Sequence, residues 1–390
     1  MFRVSTSPRP NWEQQAEALG FKFHSLYGDT YWDESAYYRF SLQQIEQEIE
    51  NPTAEIHQMC LQLVDKAVNS EEMMTRLKIP ERYWDYIRRS WIENDPYLYG
   101  RMDFSYDGRS PVKFYEYNAD TPTSLYESAY FQWLWLEDMI REKRLPAESD
   151  QFNIIQEMLI EALVVLRKRC VGDQPLYFSC CKDTEEDFGT VAYFRDCAVQ
   201  AGMNTGFVYV EDIGLSPDRQ FTDLKDMTIP ALFKLYPWEN LFEEGFGPDI
   251  EGSETLFIEP PWKAILSNKA MLPLLWREYR GHPNLLPSYF EDEKIGDDLG
   301  SHYVKKPVFS REGANISVFD NETLSEFVDG PYDDSGYILQ KFHALPKFDG
   351  NYTLIGSWIV GDQPAGIGIR EDNFLITKDS SRFLPHIIMD

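Results

Sequence analysis

The stretch 99–128, YGRMDFSYDGRSPVKFYEYNADTPTSLYES, constrains this chain more than any other. Two strand-like runs, 100–106 and 112–118, flank the turn Asp107-Gly108-Arg109-Ser110. Aspartate followed by glycine between extended runs signals a hairpin. Residues two apart on a strand share a face. Arg101 and Asp103 therefore point one way, as do Glu116 and Asn118, and Asp120 continues the alternation. A closed hairpin presents two carboxylates, an amide oxygen and a guanidinium together. Such hard oxygen ligands suit Mg²⁺, which keeps several waters and shares itself with substrate phosphates. A solvated edge face explains a lone Asp-x-Asp better. Here the next residues tilt the balance: Thr121-Pro122 reads as a helix start, continued by the apolar run 125–138. Free N–H groups and neighbouring hydroxyls at a helix start form a seat for a carboxylate or phosphate.

The rest of the composition excludes several classes. With 43% hydrophobic residues over 390 positions, the chain has material for two or three subdomains with cores. A formal net charge of -28 argues against nucleic acid and anionic membranes as partners, because both need a basic footprint. Cationic ligands such as amines suit that field, and acidity that serves only solubility accounts for it at least as well. The five cysteines lack zinc spacing and read as reduced thiols. No apolar run approaches the roughly 20 residues that span a bilayer, and residues 1–12 lack a signal-peptide core. A soluble cytoplasmic protein is expected.

Residues 13–98 read as mainly helical, with apolar stripes such as Ile56, Met59, Leu63 and Val64. From 151 to 214 helices and strands alternate, which implies a parallel sheet with ligands beyond its strand ends. The acidic run Lys182-Asp183-Thr184-Glu185-Glu186-Asp187 is expected there as a loop, able to hold an amine or simply to solubilise a turn. Residues 291–301 read as a linker into a small lid. Within the lid, Lys305-Lys306 on a strand precede Arg311-Glu312-Gly313-Ala314-Asn315, a turn of small residues suited to drape over phosphates. No Walker GxxxxGK[ST] and no strand-to-helix GxGxxG occurs. Beyond the lid, strands are expected at 337–340, 352–360, 365–370 and 374–377, forming an antiparallel meander.

Glu116-Tyr117-Asn118-Ala119-Asp120, Asp183-Thr184-Glu185-Glu186, Asn268-Lys269-Ala270, Tyr303-Val304-Lys305-Lys306-Pro307 and Gly366-Ile367-Gly368-Ile369-Arg370 occur together and in order. In this the chain resembles the synthetase half of the glutathionylspermidine synthase and trypanothione synthetase family, within the ATP-grasp ligases. It especially resembles the stand-alone bacterial acid–amine ligases of that group. The resemblance implies an α/β ATP-grasp-like fold: a helical part (13–98), a metal and acid-substrate hairpin with its helix (99–140), a parallel pre-ATP-grasp-like part (151–262), a lid (263–335) and an antiparallel nucleotide sheet (336–390). It implies ATP and two Mg²⁺ ions, with Asp103, Glu116 and Asn118 as metal ligands. Lys269, Lys306, Arg311, Gly313, Gln340 and Arg370 are the implied ATP contacts, and Arg101 and Arg370 the implied catalytic cations. Thr121, Thr123, Glu185 and Glu186 are the implied substrate contacts. The implied substrates are a glutathione-like or peptide acid and a polyamine-like amine. Threonines stand at 121 and 123 where the family carries serines, and Ser310 where it often has glycine.

Two other classes fit parts of the pattern. A nucleotide- or amine-binding protein without turnover would use the same fold, but such a remnant usually loses a metal ligand or the phosphate lysine. A carboxylate-metal hydrolase built on Asp103, Glu116 and Asp120 would leave Lys306, Arg311 and Arg370 without a role.

Overall fold

The hairpin forms at the edge of a larger sheet. Strand Tyr99–Ser105 pairs antiparallel with Lys113–Asn118 on one side and with Asn351–Val360 on the other. Gln363–Asp372 and Arg382–Leu384 extend the sheet, and the short Lys347–Phe348 pairs back on Asn351–Val360. The computed structural model describes residues 1–390 apart from Tyr27, Asp183, Glu312, Asp333, Asp334 and Asp379. The motif positions Asp183 and Glu312 therefore lie outside the described residues.

Alternation gives this sheet its two faces. Met102, Phe104, Ile355, Ile367 and Ile369 are buried in one core. The opposite face carries Arg101 and Asp103, with Gly356 paired to both Asp103 and Gly368. A Cβ on Gly356 would stand 2.8 Å from Arg101 Cδ, and one on Gly368 2.5 Å from Ser128 Oγ. Glycine at these positions lets the arginine and the following helix lie directly on the sheet. In the motif Gly366-Ile367-Gly368-Ile369-Arg370 the isoleucines point to the core, Gly368 lies under Ser128 beside the site, and Gly366 lies under Ile155 and the Phe152 carbonyl.

Among the described residues, three further sheets have three or more strands. Leu256–Ile258, Ala231–Lys234, Leu176–Ser179 and Thr205–Phe207 form a parallel sheet in that order. Helices Ile155–Leu166 and Glu185–Gln200 belong to the same core as its buried strands. Ser288–Phe290, Tyr337–Lys341, His302–Pro307, Ser317–Asp320 and Thr323–Phe327 form an antiparallel sheet. Tyr337–Lys341 therefore belongs to the lid-side sheet, not to the C-terminal meander in which it was expected. Phe2–Ser5, Ala36–Phe40 and His386–Ile388 form a third. Ala36–Phe40 falls in the stretch that reads as helical. Its buried residues, Ala36, Tyr38 and Phe40, step by two, a period hidden by the aromatic neighbour Tyr37. Among the described residues no helix is long and apolar enough to cross a membrane.

Three local expectations change. Helix does not begin at Thr121-Pro122: residues 121–124 are irregular, Ser124 takes φ 66, and helix starts at Leu125. The Arg101 guanidinium holds the Thr123 carbonyl (2.9 Å) and Ser124 Oγ (3.0 Å), which keeps this segment off the helix path. Residues 185–187 are not loop but the first turn of Glu185–Gln200, where acidic side chains complement the helix dipole. Residues 374–377 form no strand: 373–376 are bends, since Asp372 Oδ1 accepts the Phe374 N–H (2.9 Å) and turns the chain. The strand that completes the sheet is Arg382–Leu384.

Asp120 is also reassigned. The strand ends at Asn118, so alternation stops before Asp120 reaches the face that carries Asp103 and Glu116. Its fully buried carboxylate accepts from Lys234 Nζ (2.7 Å) and from the Trp238 N–H (2.9 Å). Burial pushes the Asp120 carboxyl up and the Lys234 ammonium down, so each partner depends on the other. Asp120→Asn keeps the Trp238 bond but leaves a buried cation without its anion. We expect a loss of about 3–5 kcal/mol in denaturant unfolding. An unchanged unfolding midpoint would show that this pair is not a structural clamp.

Candidate functional site

Across the hairpin Asp103 faces Glu116 and Arg101 faces Asn118. Arg101 forks onto Asp103, with Nε to Oδ1 at 2.8 Å and Nη2 to Oδ2 at 3.3 Å. Asn118 Nδ2 donates to Asp103 Oδ2 (3.2 Å), which leaves its amide oxygen available to a cation. Lys269 Nζ lies 3.0 Å from Glu116 Oε2 and donates to the Ser310 carbonyl (2.6 Å). Burial alone would raise the Glu116 carboxyl, but the Lys269 and Lys306 ammoniums outweigh it and hold it at about 2. Asp103, Glu116 and Asn118 thus form a set of oxygen donors that already attracts positive charge, as a divalent cation site requires. The protein's own cations sit where metal and substrate charge would compete.

The site opens into a cleft between the hairpin sheet and the lid-side sheet. One end is polar, with Asp103, Glu116, Lys269, Lys306 and Gln340. The other is apolar, with Val304, Val318, Leu345, Leu354 and Ile376. Lys306 Nζ donates to Gln340 Oε1 (2.8 Å). Burial lowers this ammonium to about 8, despite the pull of Glu116. Gly313, at φ 74, packs against Ile376 and the Thr377 carbonyl, where a Cβ would come within 2.7 Å of both. The bend at 374–377 thereby meets the lid turn. The cleft thus sets two ammoniums and two carboxylates at one end against an apolar wall at the other, the mixture of few convergent polar groups and apolar lining that small-molecule sites use.

Arg311 reaches out of the turn that holds Gly313. It donates to Thr121 Oγ1 (2.7 Å) and to Glu239 Oε1 (2.6 Å). The lid turn is therefore tied to the loop after Asp120. Thr123 lies near Glu186, where its hydroxyl favours the charged carboxylate. Arg370 lies with its guanidinium 4.9 Å over the Phe383 ring, close enough to Glu127 and Glu186 to stabilise their charged forms.

Behind Thr123 lies a cluster that no motif announces. Tyr31 Oη stands 2.7 Å from Glu127 Oε1 and 3.1 Å from Glu186 Oε1. A phenol has one proton, so it satisfies one carboxylate at a time. Glu127 is 1% exposed and its Oε2 has no hydrogen-bond partner. Burial, then the neighbouring Glu186 charge, pushes the Glu127 carboxyl up to about 8. Glu186 moves the same way, again by burial, with Arg370 opposing. The Arg370 guanidinium is the cation that opposes this rise at both carboxyls. Glu185, one helix position away, is exposed and faces an outer groove instead.

The sequence model of the glutathionylspermidine synthase preATP-grasp family matches residues 3–389. The chain belongs to the glutathionylspermidine synthase family. It is 42% identical to a Haemophilus influenzae protein assigned as an acid–amine ligase, covering 99% of each chain. It is 27% identical to the trypanothione synthetase of Crithidia fasciculata, over 84% of this chain and 53% of that one. It is also 27% identical to the bifunctional glutathionylspermidine synthetase/amidase of Escherichia coli, over 97% of this chain and 63% of that one. The chain thus spans little more than half the length of the latter two. A glutathione synthetase-like effector of Globodera pallida shares the fold, with a TM-score of 0.54 at 11% identity over 90% of this chain and 89% of that one. Family members carry the names of ligases and synthetases, and this chain is an enzyme of that C–N bond-forming class.

Within this family member, Asp103, Glu116, Asn118, Arg101, Lys269, Lys306, Gln340 and Gly313 converge on one cleft. Thr121 and Arg311 close its flank, and Glu186 and Arg370 belong with the Tyr31–Glu127 cluster. Sequence reasoning missed Tyr31, Glu127 and Glu239. Ser124-x-x-Glu127 matches a capping box, a pattern that invites a structural reading. The Glu127 side chain turns to Tyr31 instead.

Proposed function

We propose that this protein is an ATP- and Mg²⁺-dependent carboxylate–amine ligase of ATP-grasp-like layout. The observation that carries this is the meeting of the paired carboxylates Asp103 and Glu116 with the Lys269 and Lys306 ammoniums at the polar end of a cleft whose far wall is apolar. Lys269, Lys306 and Arg311 would neutralise the phosphates, with Gly313 closing over them and Gln340 beside Lys306. Asp103, Glu116 and Asn118 would hold one or two Mg²⁺ ions. When bound, Mg²⁺ supplies charge neutralisation at the transferring phosphoryl group.

In the first step an acid carboxylate, seated by Thr121 and Thr123, attacks the γ-phosphorus, and the bond to the ADP oxygen breaks. Arg101 and Arg370 stabilise the charge that spreads over the phosphoryl oxygens. The product is an acyl phosphate, which removes the negative charge that otherwise repels a nucleophile. In the second step an amine attacks the acyl carbon, phosphate leaves and an amide remains. The amine enters as an ammonium and must lose two protons on the way to the amide. Glu127 and Glu186 stand where they would accept one of them. Burial of the cleft keeps water from the acyl phosphate.

Incubation with ATP, Mg²⁺ and pooled acids, peptides and amines should give new amides by mass spectrometry. Chromatography of the nucleotides should show ADP and phosphate. AMP with pyrophosphate would overturn the acyl-phosphate route, and ATP left intact with every pool would overturn the ligase itself.

A further inference from the structure

Ser128 lies in the first turn of the helix that starts at Leu125, one residue beyond Glu127. Its N–H donates to the Ser124 carbonyl (3.3 Å), and its carbonyl accepts from Gln132 Nε2. The hydroxyl is the exception. Ser128 is 2% exposed, and among the described residues its Oγ has no hydrogen-bond partner. A buried hydroxyl left without a partner costs stability, so its presence asks for a cause other than the fold's own stability.

That hydroxyl borders a small cavity against the sheet. Arg101, Arg370, Ser124 and Ser128 stand around it, over Gly356 and Gly368. Its volume is about 10 Å³, close to the roughly 10–15 Å³ that one water-sized oxygen needs. The glycines keep the space open: a Cβ on Gly368 would stand 2.5 Å from Ser128 Oγ, and one on Gly356 2.8 Å from Arg101 Cδ. Asp103 and Leu354 line this cavity and the main cleft alike, so a group held at the Asp103 end of the cleft has it alongside. Of the two hydroxyls, that of Ser124 is committed. It accepts from Arg101 Nη1 (3.0 Å) and donates to the Thr123 carbonyl. Ser128 is the one with a proton to offer.

A phosphoryl group spreads its charge over three oxygens, and this cavity takes only one. In the second step of the ligase reaction a single oxygen gains charge, the carbonyl oxygen of the acyl phosphate. We propose that Ser128 is a further catalytic residue: its Oγ–H, beside the Arg101 and Arg370 guanidiniums, holds that oxygen while the amine attacks. The nitrogen bonds to the acyl carbon, and the C=O π pair moves onto the oxygen. The oxygen accepts the Ser128 hydrogen bond without taking the proton. As the pair returns, the carbon–oxygen bond to phosphate breaks, and phosphate leaves with its electrons. The nitrogen gives up its remaining extra proton to the Glu127–Glu186 pair. This deepens the ligase reading above and rests on it.

The test compares the full wild-type chain with Ser128→Ala, which suits a helix and removes only the hydroxyl. Both receive Mg²⁺ and ATP isotopically labelled in its β–γ bridge oxygen. With the pool of acids and peptides alone, scrambling of the label reports the reversible first step. With the pool of amines added, mass spectrometry reports the amides. Ser128→Ala should form amides about a hundredfold more slowly, the lower end for loss of one oxyanion donor, and keep scrambling within about twofold. Its unfolding temperature should equal or exceed that of wild type, because an unpartnered buried hydroxyl is gone. Ser128→Cys fills the same space with a weak donor and should stay slow. Wild-type amide formation in either variant would overturn the role. So would a clear fall in the unfolding temperature of Ser128→Ala, which would give the hydroxyl a structural partner. Scrambling lost in step with the amides would move Ser128 to phosphoryl transfer and overturn its assignment to the carbonyl oxygen. A wild-type chain that neither scrambles the label nor forms amides would instead overturn the ligase reading, and this role with it.

Discussion

Glu116→Gln should reduce ATP consumption at least about a thousandfold, the scale of several kcal/mol that a metal site supplies to phosphoryl transfer. Glu116 is the partner that Lys269 contacts at 3.0 Å and the anion that opposes the lowering of Lys306 by burial. An amide ligates a hard cation weakly and offers no charge to either lysine. The fold should survive, because Lys269 keeps its bond to the Ser310 carbonyl and Glu116 itself is only partly buried. Magnesium titration of ATP turnover, beside a thermal melt, separates the two effects. Near-normal consumption at saturating Mg²⁺ would remove Glu116 from the metal set. Asp103→Asn should behave similarly, with an added stability loss because Arg101 would lose its bidentate partner and loosen the 123–124 segment it holds.

What the sequence made legible here was local. The Asp-Gly turn and a period of two place Arg101, Asp103, Glu116 and Asn118 on one face without knowledge of the rest of the chain. The same rule overreached by two residues at Asp120, where the strand stops and a buried lysine waits. For the two lid lysines, alternation says only that they face opposite ways. The structure turns Lys305 to Glu291 and the Tyr337 ring, and Lys306 inward to Gln340. Choosing between them took the family resemblance, since burial is not written in spacing. The Tyr31–Glu127–Glu186 cluster was invisible for a stronger reason. It joins residues 96 and 155 positions apart through side chains alone, on elements whose local patterns each have an ordinary structural explanation.

That cluster yields the second large effect. Glu127→Gln should lower turnover with the amine by about 10²–10⁴, the usual span for loss of a proton acceptor, while ATP binding stays intact. It should also make the ligand-free protein more stable, and only at higher pH. The folded Glu127 carboxyl is raised from the ordinary 4.5 to about 8, by burial first and by Glu186 second. A raised carboxyl contributes its full stability below the unfolded value, where both states are protonated alike. That contribution is lost as pH climbs through the folded value, because the unfolded chain releases the proton freely and the native one does so at a cost. Glutamine carries no such proton. Its oxygen can accept from Tyr31, and its NH₂ can donate to Glu186. The variant and wild type should therefore melt together near pH 4, diverge from about pH 5 to 8 with the variant increasingly ahead, and keep a constant gap above that. An amine that binds between the two carboxylates draws the wild-type proton off and should close the gap in its presence. Parallel melting curves across the whole range, with turnover retained, would leave Glu127 a buried packing residue and place the amine elsewhere.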